Sequence, residues 1–229
     1  MTISRIQETR RGRFALFDEA GAFVFSVDGE TLVKNGLREG TVLDAGALVR
    51  LHGQSETRKA KDKALTLLSV RDHASGELYE KLRRTFDEHS AAAAVAEMQL
   101  LGLLNDAAWA CRRAEYLAGR HKSVREIARD LASKGVERGL IDDALASLVP
   151  AGGEDGGDES LDAAACRALV AKHYMRKLAA GRADSVLAAL ARRGFARADA
   201  RAAVAAALET LEQEPCGPDG MAARCNEME

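Results

Sequence analysis

The chain has 229 residues, with 33 Lys+Arg against 35 Asp+Glu and a formal net charge of −2. Apolar residues make up 47% and charged residues 30%, which excludes wholesale disorder, and no run approaches the roughly 18 uncharged apolar residues of a membrane span. The first ten residues lack the apolar core of a secretory signal, so the sequence predicts a soluble, cytoplasmic protein with no membrane attachment.

Residues 1–51 read as β. Phe14-Ala-Leu-Phe17 and Ala22-Phe-Val-Phe-Ser-Val27 are short aromatic and β-branched runs, and Asp18-Glu-Ala-Gly21 between them carries turn chemistry. Alternation places Phe23, Phe25 and Val27 on one face. A sheet of three or four strands closing on the short segment 31–34 would form a β-rich amino-terminal module over residues 1–55.

From residue 61 onward the chain is rich in alanine, and no proline interrupts residues 61–149, so this part is predicted to be helical. It also repeats itself. Leu78 and Leu82, Ile127 and Leu131, and Val186 and Leu190 are apolar pairs four residues apart, each placing two side chains on one helix face. After two of these pairs comes a basic residue, a glycine and an apolar residue: Lys134-Gly-Val136 and Arg193-Gly-Phe195. Glycine fits the left-handed position that ends a helix.

A third helix follows in register, with Ile141, Leu145 and Leu148 after Gly135 matched by Ala200, Val204 and Ala207 after Gly194. In the first unit Ser90 is the expected cap, with Val95, Met98 and Leu101 on the helix face. First helices carry Ala64, Leu67 and Leu68, then Trp109, Tyr116 and Leu117, then Val170, Tyr174 and Leu178. Ser123 and Glu126 have the spacing of a capping box.

The expectation is three tandem three-helix repeats, at 61–104, 105–149 and 161–211, each too poor in apolar surface to stand alone and stacked into an elongated, curved solenoid. An acidic insert at 150–160 and a tail at 212–229 are expected to be flexible. The third repeat is the basic one: residues 161–211 hold nine Lys/Arg against four Asp/Glu, while the insert and the tail each sum to −4. A basic patch favours polyanions.

Catalytic and cofactor signals are absent. There is no phosphate-binding GxxxxGK[ST], no HExxH and no GxSxG. The four cysteines, at 111, 166, 216 and 225, form no CxxC pair, and the histidines fall into no ligand pattern beside them. Cys111 and Cys166 read as small core hydrophobes. His73 and His121 precede second helices, with Ser75 and Ser123 two residues later, and read as residues that start those helices. No metal, no cofactor and no enzymatic activity are expected.

Ala64-Leu-Thr-Leu-Leu-Ser-Val-Arg71, followed by Ser75-Gly-Glu-Leu78 and Leu82, resembles the opening of RecX regulatory proteins. Leu104-Asn-Asp-Ala-Ala-Trp-Ala110 is similar to a second segment of that family, and Lys134-Gly-Val136 to a third. The resemblance spans residues 61–209 and departs where the first repeat lacks its Lys-Gly. It implies a non-enzymatic, monomeric regulator whose helical solenoid lies along the groove of the RecA–DNA filament. Such a protein restrains, in the inhibitory sense, the ATPase and strand-exchange cycle in recombination, repair and the SOS response.

The expected contacts are the basic side chains of the third repeat, Arg176, Lys177, Arg182, Arg192, Arg193, Arg197 and Arg201. Those of the second repeat follow: Arg125, Arg129, Lys134 and Arg138. They would face acidic filament surfaces or the phosphates of single- or double-stranded DNA. Two other readings stay open, a DNA-binding protein of helix-turn-helix type and a helical-repeat adaptor for another partner. Base readout needs clustered Arg, Asn and Gln on one helix, and here the Asn and Gln are scattered from Gln7 to Asn226.

Overall fold

The computed structural model describes residues 1–10, 12–148 and 160–213. The insert and the tail therefore lie almost wholly outside the described residues, as do Cys216 and Cys225.

Three antiparallel strands, β1 (Arg5–Glu8), β2 (Arg13–Phe17) and β3 (Phe23–Asp28), form one sheet in that order. Ile6 lies opposite Leu16, and Phe14 opposite Val27. The Asp18 carboxylate accepts from the backbone N–H of Ala20 (2.9 Å) and Ala22 (2.8 Å), which fixes the hairpin turn. Phe25 and Val27 are buried with Leu16, as alternation requires, but Phe23 is 60% exposed. The register shifts between Leu16 and Phe17, so the alternation lapses there and Phe23 lies edge-on to Phe17.

Helix α1 (Gly29–Lys34) is capped by Asp28, and α2 (Ala45–Leu68) by Asp44, whose carboxylate accepts from the Ala47 N–H at 2.6 Å. The β reading of residues 45–51 is thus corrected to helix. Gly46 and Gly53 weaken the helical signal there, and the short apolar run Ala47-Leu-Val49 suits a strand as well as a helix. The consequence is structural: α2 runs unbroken through residue 55. Its first half gives Leu51 to the sheet's core, and its second half gives Ala60 and Ala64 to the core of the first repeat. Ser55, fully buried, ties the helix to β3 by donating to the Ser26 carbonyl and accepting from Arg13 Nη2.

The remaining helices come in the predicted order: α3 (Ser75–Arg83), α4 (Glu88–Leu100), α5 (Asp106–Ala118), α6 (Val124–Ser133), α7 (Arg138–Ala146), α8 (Leu161–His173), α9 (Met175–Ala179), α10 (Ala183–Arg192) and α11 (Arg197–Gln213). Every apolar pair of the second helices is fully buried, and each such Leu, Ile or Val stabilises the fold by about 1.5–3 kcal/mol. Gly135 (φ +74°) and Gly194 (φ +92°) occupy the left-handed region, as expected.

Four local expectations are corrected. Asp87, not Ser90, caps α4, because its carboxylate accepts from the Ser90 N–H at 2.9 Å. Leu101 is 60% exposed, since the chain turns at Gly102 (φ +69°) and Leu104 fills the core instead. Tyr116 is 51% exposed, with the guanidiniums of Arg113 and Arg120 over its ring. The first helix of the third repeat is interrupted at Tyr174 (φ −118°), although Tyr174 and Leu178 stay buried.

The described chain divides into two compact units. One comprises Met1–Trp109 with Lys134–Val136, and the other Ala110–Ser133 with Glu137 onward. In the first, α2, α3 and α4 enclose Leu78, Leu82, Val95 and Met98; in the second, α8 to α11 enclose Cys166, Leu169, Val186, Leu190 and Phe195.

Candidate interaction surfaces

Each unit contains a repeat-to-repeat joint, and the two joints are built alike. In the first unit the Ser75 N–H, at the start of α3, donates to Asp106 Oδ1 at 2.8 Å. In the second the Val124 N–H, at the start of α6, donates to Asp162 Oδ1 at 2.7 Å. Asp106 and Asp162 sit in the first turns of α5 and α8, so an aspartate of each following repeat satisfies an orphan amide of the preceding one. The glycine loops complete the pattern. Gly135 lies so close to Gly76 that a Cβ added at Gly76 would fall 2.6 Å from the Gly135 Cα. Gly194 lies against Ser123 and Arg125, and the Ser123 hydroxyl donates to the Arg193 carbonyl at 2.6 Å.

This revises the capping box. Ser123 Oγ does accept from the Glu126 N–H at 3.2 Å, but Glu126 pairs with Lys122 in place of reaching back. The joint aspartates escaped the sequence reading because the pattern sought was apolar. Each lies just inside a capped helix, Asp106 one residue after Asn105, which accepts from the Ala108 N–H, and Asp162 two residues after Ser160, which accepts from the Ala163 N–H. Burial, helped by the Asp199 charge, raises the Asp162 carboxyl above its usual range despite the Val124 hydrogen bond.

A charged network closes the first joint. Glu77 accepts from Arg71 Nη2 at 2.6 Å and forms ion pairs with Lys81 (3.7 Å) and Lys134 (3.8 Å). His73 is 3% exposed. Its Nδ1 is 2.8 Å from the Arg71 carbonyl and its Nε2 is 2.8 Å from Lys81 Nζ. Nδ1–H therefore donates and Nε2 accepts, which only a neutral imidazole does. Burial, with the Arg71 and Lys81 charges, lowers its pKa below the ordinary histidine value against the pull of the Arg71 carbonyl and Glu77. The folded value lies below the unfolded one of about 6.5, so the unfolded chain takes the proton first and stability falls as pH drops through that window. His73→Gln is expected to flatten the loss of Tm between about pH 7 and about pH 5; a loss as steep as in the unsubstituted chain would contradict this role.

The predicted contact residues fall into two groups. Lys134 belongs to the joint through Glu77, and Arg138 lies within 4.0 Å of Asp142 at an exposed position. The others, Arg125 and Arg129 on α6, Arg176 and Lys177 on α9, Arg182 before α10, Arg192 and Arg193 at its end, and Arg197 and Arg201 on α11, are exposed. None of these has a carboxylate within 4.0 Å among the described residues. Arg125 stands beside Gly194, which brings it next to the Arg192–Arg193 corner. Lys177 Nζ lies 5.5 Å from the Tyr174 ring centre. Arg197 is the first residue of α11, where the helix dipole disfavours a cation by about 0.3–1 kcal/mol. With Arg201 it rims a cleft of about 370 Å³ floored by Leu187, Ala191 and Phe195.

Among the described residues there is no group of His, Cys, Asp and Glu able to hold a metal ion, and no helix is long and apolar enough to cross a membrane. Cys166 is fully buried and burial pushes its thiol up to about 11, whereas Cys111 is half-buried. Cys166 thus behaves as a core hydrophobe.

Comparison with known proteins bears on the whole. The family model of the first three-helix domain of RecX matches residues 60–98. The regulatory protein RecX of Halorhodospira halophila is 34% identical over 163 residues, a match covering 69% of this chain and 93% of that protein. That of Caldanaerobacter subterraneus subsp. tengcongensis is 28% identical over 152 residues, covering 66% and 77%. A crystal structure of regulatory protein RecX matches with a TM-score of 0.61 and 23% identity, over 87% of this chain and 97% of that one. That likeness is one of fold.

Proposed function

Since the chain belongs to the RecX family of regulatory proteins, we propose that it regulates a RecA recombinase by binding the RecA–DNA filament along its groove and slowing ATP turnover and strand exchange. The observation that carries this reading is the set of exposed cations on α6 and α9–α11 that no carboxylate neutralises among the described residues. Exposed cations with no internal partner are available to a surface of opposite sign, which steers its approach. The cleft rimmed by Arg197 and Arg201, with its apolar floor, fits an acidic segment of the recombinase that carries one apolar side chain.

The protein acts in the cytoplasm as a monomer and without chemistry of its own. Successive repeats make separate weak contacts with successive protomers, and avidity multiplies them. Co-sedimentation with RecA on single-stranded DNA tests this. The chain is expected to pellet with the filament at low salt and to lose at least tenfold in affinity between about 50 and 200 mM salt. Absence from the pellet at low salt would overturn the proposal.

A further inference from the structure

We propose that the cleft between α1 and the middle of α2 holds the phosphodiester backbone of a nucleic-acid strand. The cleft measures about 580 Å³ and lies within the first unit. Arg50, Gln54, Thr57, Arg58 and Lys61 line one wall. Their spacing places them on a single face of α2, a stripe about 16 Å long interrupted at its edge by Val49 and Gly53. Lys34, from the last turn of α1, and His89, from the first turn of α4, also face the cleft.

The charges favour an anion. Lys34 and Arg50 have no carboxylate within 4.0 Å among the described residues. Of the two acids in the lining, Asp28 is spent on capping α1 through the Thr31 N–H and hydroxyl, both at 2.9 Å. Arg58 meets Glu30 at 3.6 Å and Asp62, outside the lining, at 3.7 Å; both pairs are solvent-exposed, each contributes about 0–1 kcal/mol, and both yield readily to a phosphate. Lys61 reaches Glu97, outside the cleft.

Val49 is the one apolar side chain of the lining, and His89 its one ring. A protein partner would want an apolar core to its interface, and stacked bases would want a series of aromatic platforms; one valine and one imidazole supply neither a core nor a series. Cations in a row, with amide and hydroxyl groups between them, suit phosphates and sugars.

The test uses the full chain and fluorescence anisotropy of a labelled oligothymidylate. No recombinase is present, so this result and that of the filament reading are independent. Lys34→Glu/Arg50→Glu is expected to weaken binding about tenfold and to flatten the plot of log K against log salt by about 1.4, the share of two phosphates. Lys34→Gln/Arg50→Gln should give a smaller loss with an unchanged circular dichroism spectrum. Wild-type affinity and slope in both variants would overturn the proposal. So would displacement of the oligonucleotide by polyglutamate at equal charge, which would assign the cleft to an acidic protein segment.

Discussion

Gly135→Ala is expected to lower the unfolding free energy by about 3 kcal/mol, or some 6–12 °C in Tm for a chain of this size. Two costs combine. The new side chain must hold φ at +74°, which disfavours any residue with a Cβ by about 1–2 kcal/mol. Its Cβ would also fall 2.8 Å from the Gly76 Cα, a contact with backbone that no rotamer change relieves and that costs about 1–3 kcal/mol. Gly76→Ala meets the same wall from the other side, 2.6 Å from the Gly135 Cα and 2.8 Å from the Lys134 carbonyl oxygen. The control is Gly139→Ala. There the Cβ meets nothing within 4 Å inside α7, and the change is expected to stabilise by about 0.5–1 kcal/mol. Thermal unfolding of the three variants checks the contrast, and equal Tm values would show that the backbones do not touch at this joint.

Reversing Arg192, Arg193, Arg197 and Arg201 to Glu together is expected to raise the concentration needed for half-maximal slowing of RecA turnover more than tenfold. Stability should change little. All four side chains are exposed and none has a carboxylate partner among the described residues. Glu at position 197 meets the helix dipole favourably, which offsets what Glu at 192 loses at the end of α10. Arg138→Glu supplies the comparison: its charge already lies beside Asp142, and its loss should leave half-maximal slowing within about twofold. A quadruple variant as effective as the unsubstituted chain would remove the third repeat from the interface.

The repeat organisation was legible in the sequence because helix packing writes itself as period. Leu78/Leu82, Ile127/Leu131 and Val186/Leu190 are fully buried, and Gly135 and Gly194 take the left-handed conformation that their place after a helix implied. The hairpin was legible for the same reason, through alternation and the Asp18 turn. What escaped was polar or ambiguous. β1 carries one apolar residue among four, and the start of α2 combines two glycines with a short apolar run that fits either element. The joints rest on Asp106 and Asp162, single carboxylates whose partners lie 31 and 38 residues away. Local pattern does not reach that far. The charge excess of the third repeat was legible, and the contact surface proposed from it rests on that excess, but which cations lack a carboxylate neighbour was not legible. Glu77 draws Lys134 into the first joint, and only the folded arrangement places Arg125 beside Gly194.

The most direct measurement is RecA's rate of ATP hydrolysis on single-stranded DNA, followed as the purified chain is added. Hydrolysis is expected to slow progressively and to level off below one chain per recombinase protomer, as the proposed bridging of neighbouring protomers requires. Unaltered hydrolysis at stoichiometric excess would contradict the account.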